Sequence, residues 1–219
     1  MNARNPIVAG MALAAALIIP ATGDAGILRD VLSSVGLGQK EAPKDANGVA
    51  SYPRLGFTCC DLHYSKNWIN DYNYSELPMI PAGTPVEVIK YGRYRAELKV
   101  DGKAITLGQD YGRDQESLDQ YVKKLIVSDD PRPRIASYSA AVQEAIRQGK
   151  VMVGMTREQC IVAIGYPVTS ENLTLDAPAW TVYRNSGGAY RLYFGPDGHL
   201  QTVSADGDLA GQVLYTPGH

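Results

Sequence analysis

Apolar positions follow two rhythms along this chain, and the change from one to the other divides it. Between Pro85 and Leu107 the period is two. Val86 and Val88, then Ala96, Leu98 and Val100, alternate with other residues within the runs Pro85–Tyr91, Tyr94–Val100 and Lys103–Leu107. Alternation of this kind sets one face of a strand against a core and leaves the other in water. Asp101-Gly102 separates the second run from the third and predicts a two-residue hairpin, because these residue types accept the positive φ that such a turn requires. Leu55 to Tyr64 is a further ordered stretch. Leu118, Val122 and Leu125 recur at helical steps, which predicts a helix within 114–126 closing this region.

Ser128-Asp-Asp-Pro-Arg-Pro-Arg134 interrupts the pattern and predicts a domain boundary. Beyond it two helical stretches come first. Ser139 to Gln148 carries Val142, Ala145 and Ile146 on one face and closes at Gly149. Gly154 to Pro167 then holds a complete set of helix boundary signals: Thr156 and Gln159 at capping-box spacing, an apolar stripe of Cys160, Ile161 and Ile164, Gly165 as the left-handed stop, and Pro167 against continuation. Trp180–Tyr183, Tyr190–Phe194 and Leu200–Val203 predict three strands, joined by Asn185-Ser-Gly-Gly188 and Gly195-Pro-Asp-Gly198. Residues 206–219 are Gly-rich and predict a frayed tail.

Two small helices followed by a three-stranded meander, with a Gly-Met-Thr-x-x-Gln opening, an Ile-Gly-Tyr-Pro close and Trp180 starting the first strand, resemble the SmpA/OmlA (BamE-like) family of outer-membrane-assembly lipoproteins over Ser139 to Ala205. That resemblance implies a non-enzymatic binding module on the periplasmic side; similar folds serve as secreted protein inhibitors of enzymes. The alternating region, from about Gly56 to Gly108, resembles a small SH3-like barrel. The expected fold is therefore α+β: an SH3-like β domain with its closing helix over 55–127, a BamE-like domain over 135–205 and a tail over 206–219.

The first residues bear on location. Met1 to Arg4 is a short basic start, Ile7 to Pro20 an apolar run, and Gly23-Asp-Ala25 a small-residue site, together predicting a secretory signal over 1–25 cleaved near Ala25. The apolar run is shorter than the roughly 20 residues a spanning helix needs. Residues 26–54 read as an amphipathic segment (Ile27, Leu28, Val31, Leu32, Val35) followed by a polar linker. No Cys stands directly after the apolar run, the first being Cys59, so a lipid anchor of the lipoprotein kind is not expected. The expected location is periplasmic or secreted, with membrane association only through a partner.

Net charge is −2 and no Lys/Arg block occurs, which argues against nucleic acid as a partner. The chain has 14 Tyr against 2 Phe and 2 Trp, an excess suited to half-buried sheet faces and to binding surfaces. Cys59-Cys60-Asp61-Leu62-His63, if extended, puts Cys59, Asp61 and His63 on one face, where a metal or a Cys–His nucleophile is conceivable. No Cys-x-x-Cys, second His cluster or Gly-rich nucleophile turn supports it, so neither a catalytic residue nor a metal or other cofactor is expected. Adjacent cysteines rarely bridge to each other, so two readings stand: a disulfide from Cys59 or Cys60 to Cys160, which would clamp the first domain onto the capped helix, or three buried reduced thiols. Candidate binding residues are Met155, Tyr166, Trp180, Tyr183, Arg191 and Tyr193, since aromatic residues and Arg dominate binding hot spots. If Tyr190, Leu192 and Phe194 face inward, Arg191 and Tyr193 face out. The expected function is binding or scaffolding in the cell envelope with a protein partner. The alternatives are an inhibitor or accessory subunit of a secreted enzyme, and a Cys-dependent cell-wall enzyme.

Overall fold

A computed structural model describes residues 55–92, 94–109 and 116–218. They lie within one compact unit. The predicted signal, the amphipathic segment and the linker all lie outside the described residues. No helix among the described residues is long and apolar enough to cross a membrane.

In chain order the first region comprises β1 (Leu55–Thr58), β2 (Leu62–His63), β3 (Trp68–Ile69), β4 (Met79–Ile80), β5 (Pro85–Tyr91), β6 (Arg95–Val100), β7 (Lys103–Gly108), α1 (Leu118–Leu125) and β8 (Ile126–Val127). Six of the strands form a mixed sheet in the order β3-β7-β6-β5-β1-β8, while β2 and β4 pair separately. Every pairing in the large sheet is antiparallel except β3 with β7. The sheet is open, ending at β3 and β8 among the described residues. Strands β5, β6 and β7 are the meander that the alternation predicts, and Asp101 and Gly102 both take positive φ, 47° and 78°. Val86, Val88, Ala96, Leu98 and Val100 turn inward and meet Leu118, Val122 and Leu125 of α1. A capping box starts α1: the Ser117 hydroxyl accepts from the Gln120 amide, and the Gln120 side chain accepts from the Ser117 amide.

The second region comprises α2 (Arg132–Ala136), α3 (Ala140–Arg147), α4 (Arg157–Ile164), β9 (Ala179–Tyr183), β10 (Ala189–Phe194), β11 (Leu200–Ser204) and α5 (Leu209–Val213). The short helix α2 occupies part of the Pro-rich stretch, because Pro in a first turn lacks an amide that would go unpaired there anyway. Ser139 caps α3 by accepting from the Val142 amide, and Thr156 with Gln159 forms the capping box of α4. The strands form an antiparallel sheet in the order β11-β10-β9.

Helix α4 differs from the single apolar stripe that its sequence predicts. Cys160, Val162, Ala163 and Ile164 are all buried, and Ile161 packs against both apolar cores of the unit. The cause is its position between the two regions. The Asp61 amide donates to the Val162 carbonyl at 2.9 Å, and Asn73 Nδ2 donates to the Ile164 carbonyl at 2.8 Å. Carbonyls that a helix C-terminus leaves unpaired are thus satisfied from the first region. Gly165 has φ 77°, and a Cβ there would collide with the Asn73 side-chain amide, so both conformation and space call for glycine.

The frayed tail is corrected by the structure. The Val151 amide donates to the Val213 carbonyl at 3.0 Å and the Tyr215 amide to the Val151 carbonyl at 2.7 Å, and Val213 is buried in the second core. Burial of Val213, the last residue of α5, with partial cover of Leu209 and Tyr215, outweighs the flexibility that the glycines suggest.

Candidate functional site: the outer face of the small sheet

Strand β10 alternates cleanly. Tyr190, Leu192 and Phe194 are buried, while Ala189, Arg191 and Tyr193 are exposed, Tyr193 by 39%. Arg191 stands opposite Thr181 on β9 and Ser204 on β11; Tyr193 stands opposite Ala179 and Thr202. Cross-strand neighbours on one face lie within about 5.5 Å of one another, so these side chains form one contiguous patch. Its middle carries a guanidinium and a phenol on the central strand.

The two edges of this sheet differ. Along β9 the backbone is occupied: Asn172 donates through Nδ2 to the Thr181 carbonyl at 2.9 Å and accepts from the Thr181 amide at 2.8 Å, mimicking a neighbouring strand. Farther along, the Tyr183 and Arg184 carbonyls accept from the amides of Ser75 and Glu76. A side-chain amide and a crossing loop therefore close the edge. Along β11 only the start is covered, where Leu200 exchanges backbone bonds with Gly154 and Met155. For Thr202 to Ser204, no backbone partner outside the sheet occurs among the described residues.

The predicted binding residues divide by place. Arg191 and Tyr193 lie together on the open face. Tyr183 faces the same side, diagonal to Arg191, but its ring meets Tyr72 edge-on at 4.9 Å and its hydroxyl donates to Glu171 at 2.5 Å. Burial, reinforced by the Glu171 carboxylate, pushes its phenol above the ordinary value. Tyr166 is half-buried elsewhere, with the Lys124 ammonium 4.9 Å from its ring centre. Trp180 and Met155 are fully buried: Trp180 packs on Phe194 at 4.6 Å and donates to the Leu175 carbonyl, and Met155 belongs to the same core. Sequence parity separates Arg191 and Tyr193 from the inward residues of β10, but it does not say that Trp180, the second residue of β9, belongs to the core.

The cysteine pairing is also corrected. The sulfurs of Cys59 and Cys60 lie at disulfide distance, 2.14 Å, and Cys160 is free and buried. Cys160 packs in the second core while Cys59 and Cys60 pack in the first, so the candidate clamp to Cys160 does not form, and of the three thiols only Cys160 stays reduced. Burial pushes the Cys160 thiol up to about 12, which keeps it protonated at neutral pH.

Asp61 and His63 are buried as well, 1% and 3% exposed. Burial pushes the Asp61 carboxyl up to about 8, against the bond it accepts from the Ala82 amide, and pushes the His63 imidazole down to about 4. Asn73 fixes this segment, donating to the Asp61 carbonyl at 3.0 Å and accepting from the His63 amide at 2.7 Å. No group of three or more His, Cys, Asp or Glu positioned to hold a metal ion occurs among the described residues. Compared with known proteins, the chain matches no family model, no curated protein and no solved structure.

Proposed function

We propose that this chain is a non-enzymatic binding protein of the bacterial cell envelope, exported by a cleaved leader and serving outer-membrane assembly or maintenance through a protein partner. The observation that carries the reading is the open face of the small sheet, where Arg191 and Tyr193 project side by side next to an edge on which Thr202 to Ser204 have no backbone partner outside the sheet among the described residues. An Arg and an aromatic at the centre of a patch are the residue types that anchor partners, and a free edge accepts a strand through backbone bonds. Support for a BamE-like second domain comes from the order of its elements, two capped helices and then an antiparallel meander. Support for an SH3-like first domain is its β5-β6-β7 meander. The non-enzymatic part is supported by the cysteines, since Cys160 is buried and protonated and Cys59 and Cys60 lie within bonding distance of each other.

The test is affinity purification from the source cells after mild cross-linking, comparing the full-length chain with an Arg191→Ala/Tyr193→Ala variant. Co-purification of envelope-assembly proteins with the first and their loss with the second is the expected result. Retention of every partner by the folded variant overturns the surface. Recovery of a single soluble enzyme at one-to-one ratio replaces the scaffold role with that of an inhibitor or accessory subunit.

A further inference from the structure

A second concavity lies apart from the patch that carries Arg191 and Tyr193. It has a volume of about 510 Å³ and is bounded by residues 79–82, by α2 and by α3. That volume is within the range of sites that enclose a small molecule, roughly 300–1,000 Å³. Met79, Pro81, Ile135, Ala136 and Ile146 give it mostly apolar walls. Asp61 also lines it, and is the unusual member. Its Oδ1 accepts from the Ala82 amide at 2.8 Å, while its Oδ2 is buried with no hydrogen-bond partner. Buried polar atoms in native proteins are satisfied in about nine cases of ten, so an orphaned carboxyl oxygen beside an apolar cavity points to a partner that comes from outside the chain.

The charged lining residues narrow the choice. Arg132 is held by Asp130 through Nε at 2.9 Å and Nη2 at 2.6 Å, and Arg147 is held by Glu144. Each cation is matched by a carboxylate, which leaves the opening without a surplus charge to attract an ion. We propose that this cavity binds a small neutral molecule with an apolar body and one carbonyl-type acceptor, and that the Asp61 carboxyl donates to that acceptor. With Oδ1 already engaged as an acceptor, the proton belongs on Oδ2. Burial pushes Asp61 up to about 8, which keeps that proton in place at neutral pH.

The surrounding groups leave this proton's effect isolated. His63, two residues along, is pushed down to about 4 by burial, and Cys160 on α4 is pushed up to about 12. Bonds from Arg147 and Gln148 hold Glu144 far below the carboxylate range, and Arg132 and Arg147 are held above theirs by their carboxylate partners. Cys59 and Cys60 are paired with each other. Among these groups Asp61 is the one that changes charge between about pH 6 and about pH 10.

Titration of the isotopically labelled full-length protein with octanamide, followed by the Ala82 amide resonance, tests the proposal, with octylammonium as the charged control. Octanamide should give a saturable shift at about pH 6, weakening about a hundredfold by about pH 10 because the protonated fraction falls tenfold per unit above the Asp61 value. Asp61→Asn keeps a donor, and should hold the affinity while flattening the pH profile. Ala140→Phe, at an exposed lining position, should block binding while leaving the remaining spectrum in place. Absence of saturable octanamide binding, a pH-independent wild-type affinity, or tighter binding of octylammonium overturns it.

Discussion

The first region adds distant segments to its β5-β6-β7 meander, whereas the second stacks neighbours throughout. In the large sheet Leu55 pairs with Glu87 and Phe57 with Val127, so β1 is held from both sides by chain that comes much later, and β3 reaches β7 in parallel. In the small sheet β9, β10 and β11 pair in order across short turns. Distant pairing must first close large loops, while the meander forms from local contacts. Helix α4 joins the two: capped by its own sequence, it becomes an interior wall once Asp61 and Asn73 bond to its last carbonyls. The second region supplies local order, and the first completes its core by leaning on it.

Removal of one large side chain from each core gives the strongest test of that sharing. Trp180→Ala and Leu98→Ala should each lower stability by about 3–5 and about 2–5 kcal/mol, respectively, within a single cooperative denaturant transition. Two separate transitions would break the picture of a shared wall. Asn73→Ala acts at the junction itself, stranding the Ile164 and Asp61 carbonyls and the His63 amide; a loss of about 2–3 kcal/mol is expected, with faster hydrogen exchange at Asp61.

The buried pair sets a pH signature that belongs to the first region alone. Asp61 is raised from 3.8 to about 8, so its contribution to stability is complete below 3.8 and is lost as pH rises to about 8. His63 is lowered from 6.5 to about 4, so its contribution is complete above 6.5 and is lost as pH falls to about 4. The two slopes cancel between about pH 4 and pH 6.5, and above that the Asp61 slope stands alone. From about pH 6.5 to pH 8, wild type should lose about 1.4 kcal/mol per unit relative to Asp61→Asn. Equal slopes in urea titrations of the two proteins would contradict the burial argument. The smallest stability effect should be shared by both regions: Ser117→Ala and Thr156→Ala each remove a capping box and should lower the melting midpoint by the equivalent of about 1 kcal/mol.

Legibility in the sequence follows the same division. Thr156, Gln159 and Gly165 announce α4 because a helix end is decided by residues a few positions apart, and Asp101-Gly102 announces its hairpin for the same reason. Parity along β10 placed Arg191 and Tyr193 outside. The pairing of β1 with β8, and of β3 with β7, leaves no local mark, since each depends on segments that meet only after folding. The burial of Val162 and Ala163 is invisible for that reason too, as is the closure of the β9 edge by Asn172. In the tail, composition was misleading: the glycines are less decisive than Val213 finding a place in the core.

The proposed role of the small sheet's open face as the seat of the partner is tested by a photo-cross-linking amino acid placed at Tyr193 on β10 and, separately, at the exposed Lys99 on β6 of the large sheet. Irradiation of cells carrying either protein, followed by identification of the adducts, compares the two faces under one condition. A discrete protein adduct from position 193 and none from position 99 is the predicted result. The same adduct from position 99, with none from position 193, would contradict the account and move the interface to the first region.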